Sequence, residues 1–216
     1  MDALYVLGSG SKANNLELEC SIALLKKHCL DLKNIYVVGD DPVFDGDYQH
    51  LQAHDGYKFA WQNVYGKIKL AIEKLPLSDK FILMNDDFFA NADFTGESLP
   101  YYAVKNGSGG INGIYDFGIH APYVIEKELF KNLPLNIVGP KDVSIRSFYA
   151  NYSRCAPEFV DDVILRAGEN MPSFFDQIEN KEWFSTDDYI FTLPEFQDWI
   201  KVVAGINGII DNDDHE

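Results

Sequence analysis

A turn of three consecutive oxygen-bearing side chains lies between two apolar segments of the chain. Asn85, Asp86 and Asp87 follow the apolar segment 81–84 and precede the paired phenylalanines at 88–89. In proteins Mg²⁺ takes one or two carboxylates and completes its coordination with water and substrate phosphates. The turn is therefore a candidate site for Mg²⁺ or Mn²⁺ together with a phosphate-bearing ligand. The alternative is a tight turn in which the aspartates cap backbone amides.

Two basic side chains in the second half of the chain have chemistry that would complement this turn. His120 lies between a glycine-rich segment at 106–110 and Pro122. An imidazole there could accept the proton of a substrate hydroxyl, because imidazole titrates near neutrality. Arg146 offers a planar guanidinium that matches phosphate oxygens. The simpler alternatives are a histidine that satisfies loop carbonyls and a surface arginine paired with a neighbouring acid.

Two further segments are candidates for ligand binding. Asp187 and Asp188 could complete a metal site, contact a sugar, or cap a helix that starts at Tyr189. Near the start of the chain, glycine amides that follow an apolar segment could bind an oxyanion or could form only a turn. That segment matches neither the Walker motif nor the G-x-G-x-x-G fingerprint. It consists of Gly8, Ser9, Gly10, Ser11 and Lys12.

The elements that must position these residues alternate between strand and helix patterns. Apolar segments at 3–7, 34–39 and 80–84 predict buried strands. Between them, apolar residues at helical spacing predict helices over 18–29 and 61–75. Strands joined by helices indicate a parallel sheet, and such sheets bind ligands at the carboxyl ends of their strands. The acidic turn and the glycine-rich segment are both predicted to lie at such strand ends.

The remaining segments are less regular. Residues 43–58 lack periodicity and predict a long loop. The segment 101–104 predicts a strand. A helix is expected over 122–130, because proline is favoured in the first turn of a helix. Two more helices are predicted over 142–152 and 195–203.

The charge balance disfavours one class of partner. The chain has 34 acidic and 18 basic residues, a formal net charge of −16, so binding of nucleic acid is not expected. A nucleotide substrate would have to be held locally. A divalent cation that bridges carboxylates to a pyrophosphate would do this.

Length and apolar content predict one α/β domain over 1–210, followed by a frayed acidic tail at 211–216. No apolar run reaches the roughly 18 residues that a membrane span needs. Residues 1–7 lack the basic region and longer apolar stretch of a signal peptide. Three scattered cysteines fit a reducing compartment. A cytoplasmic protein without a membrane span is therefore expected.

Four segments in order resemble the sequence blocks of a known family. The first block has an E-L-x-x-S helix, matched at 17–21, and an N-I-Y-I-V-T-D strand, similar to 34–40. The second block is matched at 77–89, and the third begins with H-x-P at 120–122. An arginine helix at Arg146 and a weaker fourth block, ending at the paired aspartates, complete the set. Together these segments resemble the Stealth family, hexose-1-phosphate transferases that include bacterial capsule polymerases and the lysosomal-targeting GlcNAc-1-phosphotransferase.

The resemblance implies a GT-A-like fold, with a mixed, mostly parallel sheet flanked by helices. It implies transfer of a sugar-1-phosphate from a UDP-sugar to an acceptor hydroxyl, that of a glycan, with Mg²⁺ or Mn²⁺ bound. The implied metal ligands are Asp86, Asp87 and Asp187, and the implied catalytic residues are His120, Arg146 and Asp188. The residues expected to bind the nucleotide sugar are Gly8, Ser9, Gly10, Ser11, Lys12, Glu17, Asn85, Asp86 and Arg146.

Two other functions stay open from the sequence. One is an ordinary glycosyltransferase that releases UDP and acts on a glycan or a modified nucleic-acid base. In that enzyme Asp187 or Asp188 could be the carboxylate base. The other is an acidic carbohydrate-binding module without catalytic activity.

Overall fold

The computed structural model describes residues 1–104, 115–134, 144–168, 171–187 and 189–206, with the side chains of 171–173 excepted. Over the first 84 residues, the three predicted strands and two predicted helices are present in the predicted order. The strands are β1 (Asp2–Leu7), β2 (Ile35–Gly39), β3 (Gln49–Gln52), β4 (Lys80–Met84), β5 (Phe88–Ala90), β6 (Tyr101–Val104), β7 (Tyr123–Glu126), β8 (Pro157–Val160), β9 (Ile164–Leu165) and β10 (Trp183–Thr186). The helices are α1 (Leu16–His28), α2 (Ala60–Lys74), α3 (Lys127–Lys131), α4 (Ile145–Tyr152), α5 (Met171–Ile178) and α6 (Pro194–Ala204).

The central sheet has the strand order β3-β2-β1-β4-β7. The first four strands are parallel and β7 is antiparallel to β4. Helices cover both faces of the sheet. Successive residues of a strand point to opposite faces, so neighbouring residues pack against different helices. Tyr5 of β1 packs in the cluster of α1 residues, whereas Leu4 packs in that of α2 residues. The prediction of a mixed, mostly parallel α/β sheet is confirmed.

The sequence prediction was wrong for two segments beside this sheet. The predicted helix at 122–130 is strand β7 followed by the single-turn helix α3. The aromatic and β-branched residues of β7 favour a strand, and pairing with β4 decides the outcome. The predicted loop at 43–58 contains β3, which pairs with β2. As an edge strand β3 is bonded on one side only, so its polar residues remain exposed or half-buried.

The second half of the chain builds smaller sheets against the central one. β5, β10 and β9 form one of them, and β6 pairs with β8 in another. The acidic turn at 85–87 joins β4 to β5, so the chain passes there from the central sheet to the next. The predicted strand at 101–104 is confirmed as β6, and α4 and α6 confirm the described parts of two predicted helices.

Other sequence predictions fall on residues that the structure does not describe. The glycine-rich segment 106–110, residues 142–143, Asp188 and the tail 211–216 all lie outside the described residues. The domain limits of 1–210 therefore stay a prediction. Within the described residues, no helix is both long enough and apolar enough to cross a membrane.

Candidate active site

A first cleft lies at the carboxyl ends of β1 and β4 and encloses about 260 Å³. It brings together candidate residues from three segments that are distant in the sequence. Ser9 and Lys12 are not among its lining residues, and the Lys12 ammonium lies 3.5 Å from the ring centroid of Tyr189. The lining residues are Gly8, Gly10, Ser11, Glu17, Asn85, Asp86, Asp87, Thr186, Asp187 and Phe191.

The segment 8–11 forms the wall of this cleft that leads into α1. The Ser11 hydroxyl accepts hydrogen bonds from the amides of Asn15 at 2.7 Å and Ala13 at 3.3 Å, and so orders the approach to the helix. A Cβ atom built on Gly8 or Gly10 would have no neighbour within 4 Å. The two glycines therefore leave open space beside their backbone, where a ligand could approach closely.

Two carboxylate oxygens of the first cleft are buried without a hydrogen-bond partner among the described residues. They are Oδ1 of Asp87 and Oε2 of Glu17. Burial raises the pKa of Asp87, while the nearby charges of His120 and Arg146 oppose the rise. Buried carboxylate oxygens without partners are costly, and a bound cation would satisfy them. The first cleft therefore has carboxylate oxygens that could coordinate a cation and whose negative charge a bound cation would neutralise.

A metal bound only by protein side chains does not fit the described residues. They contain no group of three or more His, Cys, Asp or Glu side chains that could hold a metal ion. Mg²⁺ commonly binds one or two carboxylates and takes its other ligands from water and substrate phosphates. The carboxylates of Asp87 and Glu17 fit a cation that binds together with a phosphate-bearing ligand.

Asp187 has a structural role in the wall of the first cleft. Its Oδ1 accepts hydrogen bonds from the amides of Tyr189 at 3.0 Å and Ile190 at 2.9 Å, and its Oδ2 accepts one from Ala167 at 3.1 Å. Asp187 thus binds the amides at the start of the 3-10 turn Ile190–Thr192, a role close to the capping that the sequence left open. Asp187 as a metal ligand and Asp188 as a catalytic residue stay predictions.

A second cleft of about 280 Å³ contains both basic candidates. His120 and Arg146 line it together with Asn85, which also lines the first cleft. The two clefts therefore meet at the acidic turn. The structure thus brings His120 and Arg146 beside the acidic turn, which carries residues predicted to bind the metal and the nucleotide sugar.

His120 is held by Asp162, a residue that the sequence prediction missed. The imidazole Nδ1 lies 2.8 Å from Oδ2 of Asp162, and the His120 amide donates to Oδ1 at 3.1 Å. When Nδ1–H donates to the carboxylate, Nε2 of the neutral ring carries the lone pair and can accept a proton. A signal for Asp162 was present, because the pair at 161–162 follows strand β8 as the acidic turn follows β4.

Arg146 fixes a positive charge at the junction of the clefts. Its guanidinium donates to the carbonyl of Ile119 and lies 4.3 Å from the ring centroid of Phe88 and 5.7 Å from that of Tyr123. Burial lowers the pKa of Arg146, and Tyr123, Asp87 and Asp162 oppose that shift. A guanidinium stays charged under such conditions. Arg146 is therefore a fixed cation beside the acidic turn.

Lys67 is a second residue that the sequence prediction missed. Its ammonium is buried in α2, 2.8 Å from the carbonyl oxygen of Leu7 and 2.6 Å from Oδ1 of Asp55. These bonds fix the end of β1 where the first cleft begins. Gly39 packs against the same carbonyl, and a Cβ there would lie 2.0 Å from the Leu7 oxygen. In the sequence Lys67 is one lysine among several in α2, so nothing marked it.

The overall architecture corresponds to a known α/β fold. The chain matches no protein-family model and no curated protein sequence. Its fold is similar to that of the galactosyltransferase LgtC in complex with donor and acceptor sugar analogs. The TM-score is 0.53 over 98% of each chain, at 10% sequence identity. At this identity the similarity establishes the fold, which is GT-A-like, and the resemblance to the Stealth family stays a prediction.

Proposed function

We propose that the protein is a transferase that uses a UDP-sugar and transfers its sugar-1-phosphate to a hydroxyl of a glycan acceptor. One observation carries the proposal. Two carboxylates with unpartnered buried oxygens adjoin the His120–Asp162 pair and Arg146 at one edge of a GT-A-like sheet. These are the parts that phosphoryl transfer needs, namely a site for cation and pyrophosphate, a fixed positive charge and a base.

The first cleft is the proposed donor site. The open space beside Gly8 and Gly10 would admit the nucleotide sugar, with backbone amides close to its phosphates. Asp87 and Glu17 would hold Mg²⁺ or Mn²⁺, with Asp86 in the same cleft. When bound, the cation would neutralise pyrophosphate charge and stabilise the leaving nucleotide.

His120 is the proposed base. Its Nε2 would accept the proton of the acceptor hydroxyl while the hydroxyl oxygen forms a bond to the sugar-linked phosphorus. The bond from that phosphorus to the UMP oxygen would break, and UMP would leave. Asp162 holds the imidazole in the required tautomer, and the Arg146 charge stabilises the phosphoryl oxygens.

A glycosyltransferase that releases UDP is the second candidate, favoured by the fold similarity to a galactosyltransferase. Attack at the sugar carbon with inversion would need a carboxylate base beneath the ring. Asp187 fits this role poorly, because both of its oxygens accept backbone hydrogen bonds. Asp188, the other carboxylate considered, lies outside the described residues.

Chromatography of the spent nucleotide distinguishes the two reactions. The protein is incubated with a panel of UDP-sugars, Mn²⁺ and oligosaccharide acceptors, and UMP and UDP are quantified with and without acceptor. Acceptor-dependent UMP supports phosphotransfer, whereas acceptor-dependent UDP without UMP would replace it with glycosyl transfer.

Calorimetry tests the donor site itself. We expect UDP-sugar binding with Mn²⁺ and none in EDTA, because the acidic cleft would repel a bare pyrophosphate. Equal affinity in EDTA would refute the metal site. Absence of binding by any UDP-sugar, with saccharide binding retained, would favour a carbohydrate-binding module.

A further inference from the structure

A third cavity of about 270 Å³ lies beside the second cleft and shares His120 with it. It is lined by residues of β6, β8 and β10 and by the segments 119–121, 161–163 and 180–182. The proposed donor site does not use this cavity. The residues that decide its chemistry are Tyr102, His120, Glu158, Asp161, Glu182 and Trp183.

Trp183 lines the cavity and carries an indole N–H that has no hydrogen-bond partner among the described residues. The residue is 7% exposed, and its indole Nε1 is buried. Its ring packs edge-on to Phe94 with centroids 4.8 Å apart, which fixes its orientation. Buried indole N–H groups usually find an acceptor. A ligand oxygen in the cavity would supply one.

The charge of the walls restricts what can enter. Four of the lining residues are acidic, and Lys181 and His120 are the basic ones among the described lining residues. The Glu182 carboxylate accepts a hydrogen bond from the Tyr102 hydroxyl, and Asp162 binds His120. A negatively charged ligand would be repelled by these walls. Sugar hydroxyls or an amine would instead donate to the carboxylates.

We propose that this cavity binds the acceptor, and that the acceptor is a saccharide without negative charge. Such a ligand would present oxygen to the Trp183 indole and hydroxyls to the carboxylates. It would also place one hydroxyl at His120, which lines both this cavity and the cleft beside the donor site. The identification of this ligand as the acceptor rests on the proposed function. Binding of the saccharide itself does not depend on the nucleotide.

The indole N–H signals test the cavity without nucleotide or metal. Trp61, Trp183 and Trp199 each give one ¹H–¹⁵N signal, and Trp183→Phe identifies that of Trp183. The protein is titrated with neutral tetrasaccharides (chitotetraose, maltotetraose, cellotetraose), with the tetramer of glucosamine, and with tetragalacturonate. We expect at least one neutral tetramer and the amine tetramer to shift the Trp183 signal while that of Trp199 stays in place.

Two outcomes would overturn the proposal. One is a Trp183 signal that no neutral or amine-bearing tetramer moves. The other is a shift by tetragalacturonate at concentrations as low as those of the neutral ligands. Because no nucleotide is present, neither outcome depends on whether the donor site binds a UDP-sugar.

Removal of two negative charges then tests whether the acidic residues of the cavity select the ligand. The double variant Glu158→Gln with Asp161→Asn removes two exposed charges from the cavity. We expect the amine tetramer to bind roughly five- to tenfold more weakly and tetragalacturonate to begin to bind. The control, Glu73→Gln with Asp79→Asn, makes the same change in net charge at exposed residues outside the cavity. Equal effects of both variants would contradict recognition by the cavity walls.

Discussion

Asp87→Asn should stabilise the metal-free protein while it abolishes donor binding. Oδ1 of Asp87 is buried without a partner among the described residues, and burial raises the pKa of the carboxyl group. Burial of the ionised carboxylate therefore costs more folding free energy than burial of a neutral amide. An unsatisfied buried polar group costs about 1–3 kcal/mol, and more when it is charged. Because the charges of His120 and Arg146 offset part of this, we expect a gain of about 1 kcal/mol.

Thermal unfolding in EDTA at neutral pH measures this gain. For a domain of this size, 1 kcal/mol corresponds to a rise in Tm of roughly 2–4 °C. Asp79→Asn is the control, since it removes the same charge at an exposed position. The difference between Asp87→Asn and wild type should shrink as the pH falls. The folded-state pKa is raised, so the penalty is complete above that pKa and disappears as the carboxyl group is protonated in both states.

Addition of Mn²⁺ and UDP should reverse the order of stability. At about 100 times the Kd, ligand adds about 2.7 kcal/mol to wild type, whereas Asp87→Asn should gain little. The variant should thus melt higher than wild type in EDTA and lower with metal and nucleotide. A variant that is less stable than wild type in EDTA, or equally stabilised by the ligands, would refute the reasoning.

Three other residues give separate predictions. His120→Ala should keep donor binding by calorimetry but lose roughly 10²- to 10⁴-fold in turnover, and wild-type turnover would exclude it as the base. Asp162→Asn should lose a similar factor, about 10²- to 10⁴-fold, since the asparagine amide would favour the wrong tautomer of the imidazole. Lys67→Met should lower the unfolding free energy in urea by about 2 kcal/mol through loss of its bonds at the end of β1. Lys74→Met, exposed on the same helix, should change it little, and equal effects would contradict a specific role for Lys67.

The sequence determined three of the four strands and both helices of the first 84 residues, because the burial of each of these elements follows a local periodicity. The apolar stripe of α1 and the uninterrupted apolar run of β4 needed no tertiary information. The acidic turn was predicted at a strand end for the same reason, since the apolar run stops there. The structure confirms that position and adds the unpartnered oxygens of Asp87 and Glu17.

Tertiary structure alone decided the features that depend on residues far apart in the chain. The segment 123–126 is a strand because β4 offers it an edge, and a short apolar segment does not specify its own partner. The partner of His120 lies 42 residues away in Asp162, and Lys67 reaches the end of β1 across 60 residues. A local sequence pattern can predict whether a residue is buried, but it does not predict which distant residue will contact it. The shared His120 of two adjoining cavities arises only when three sheets pack together, and no local pattern encodes that packing.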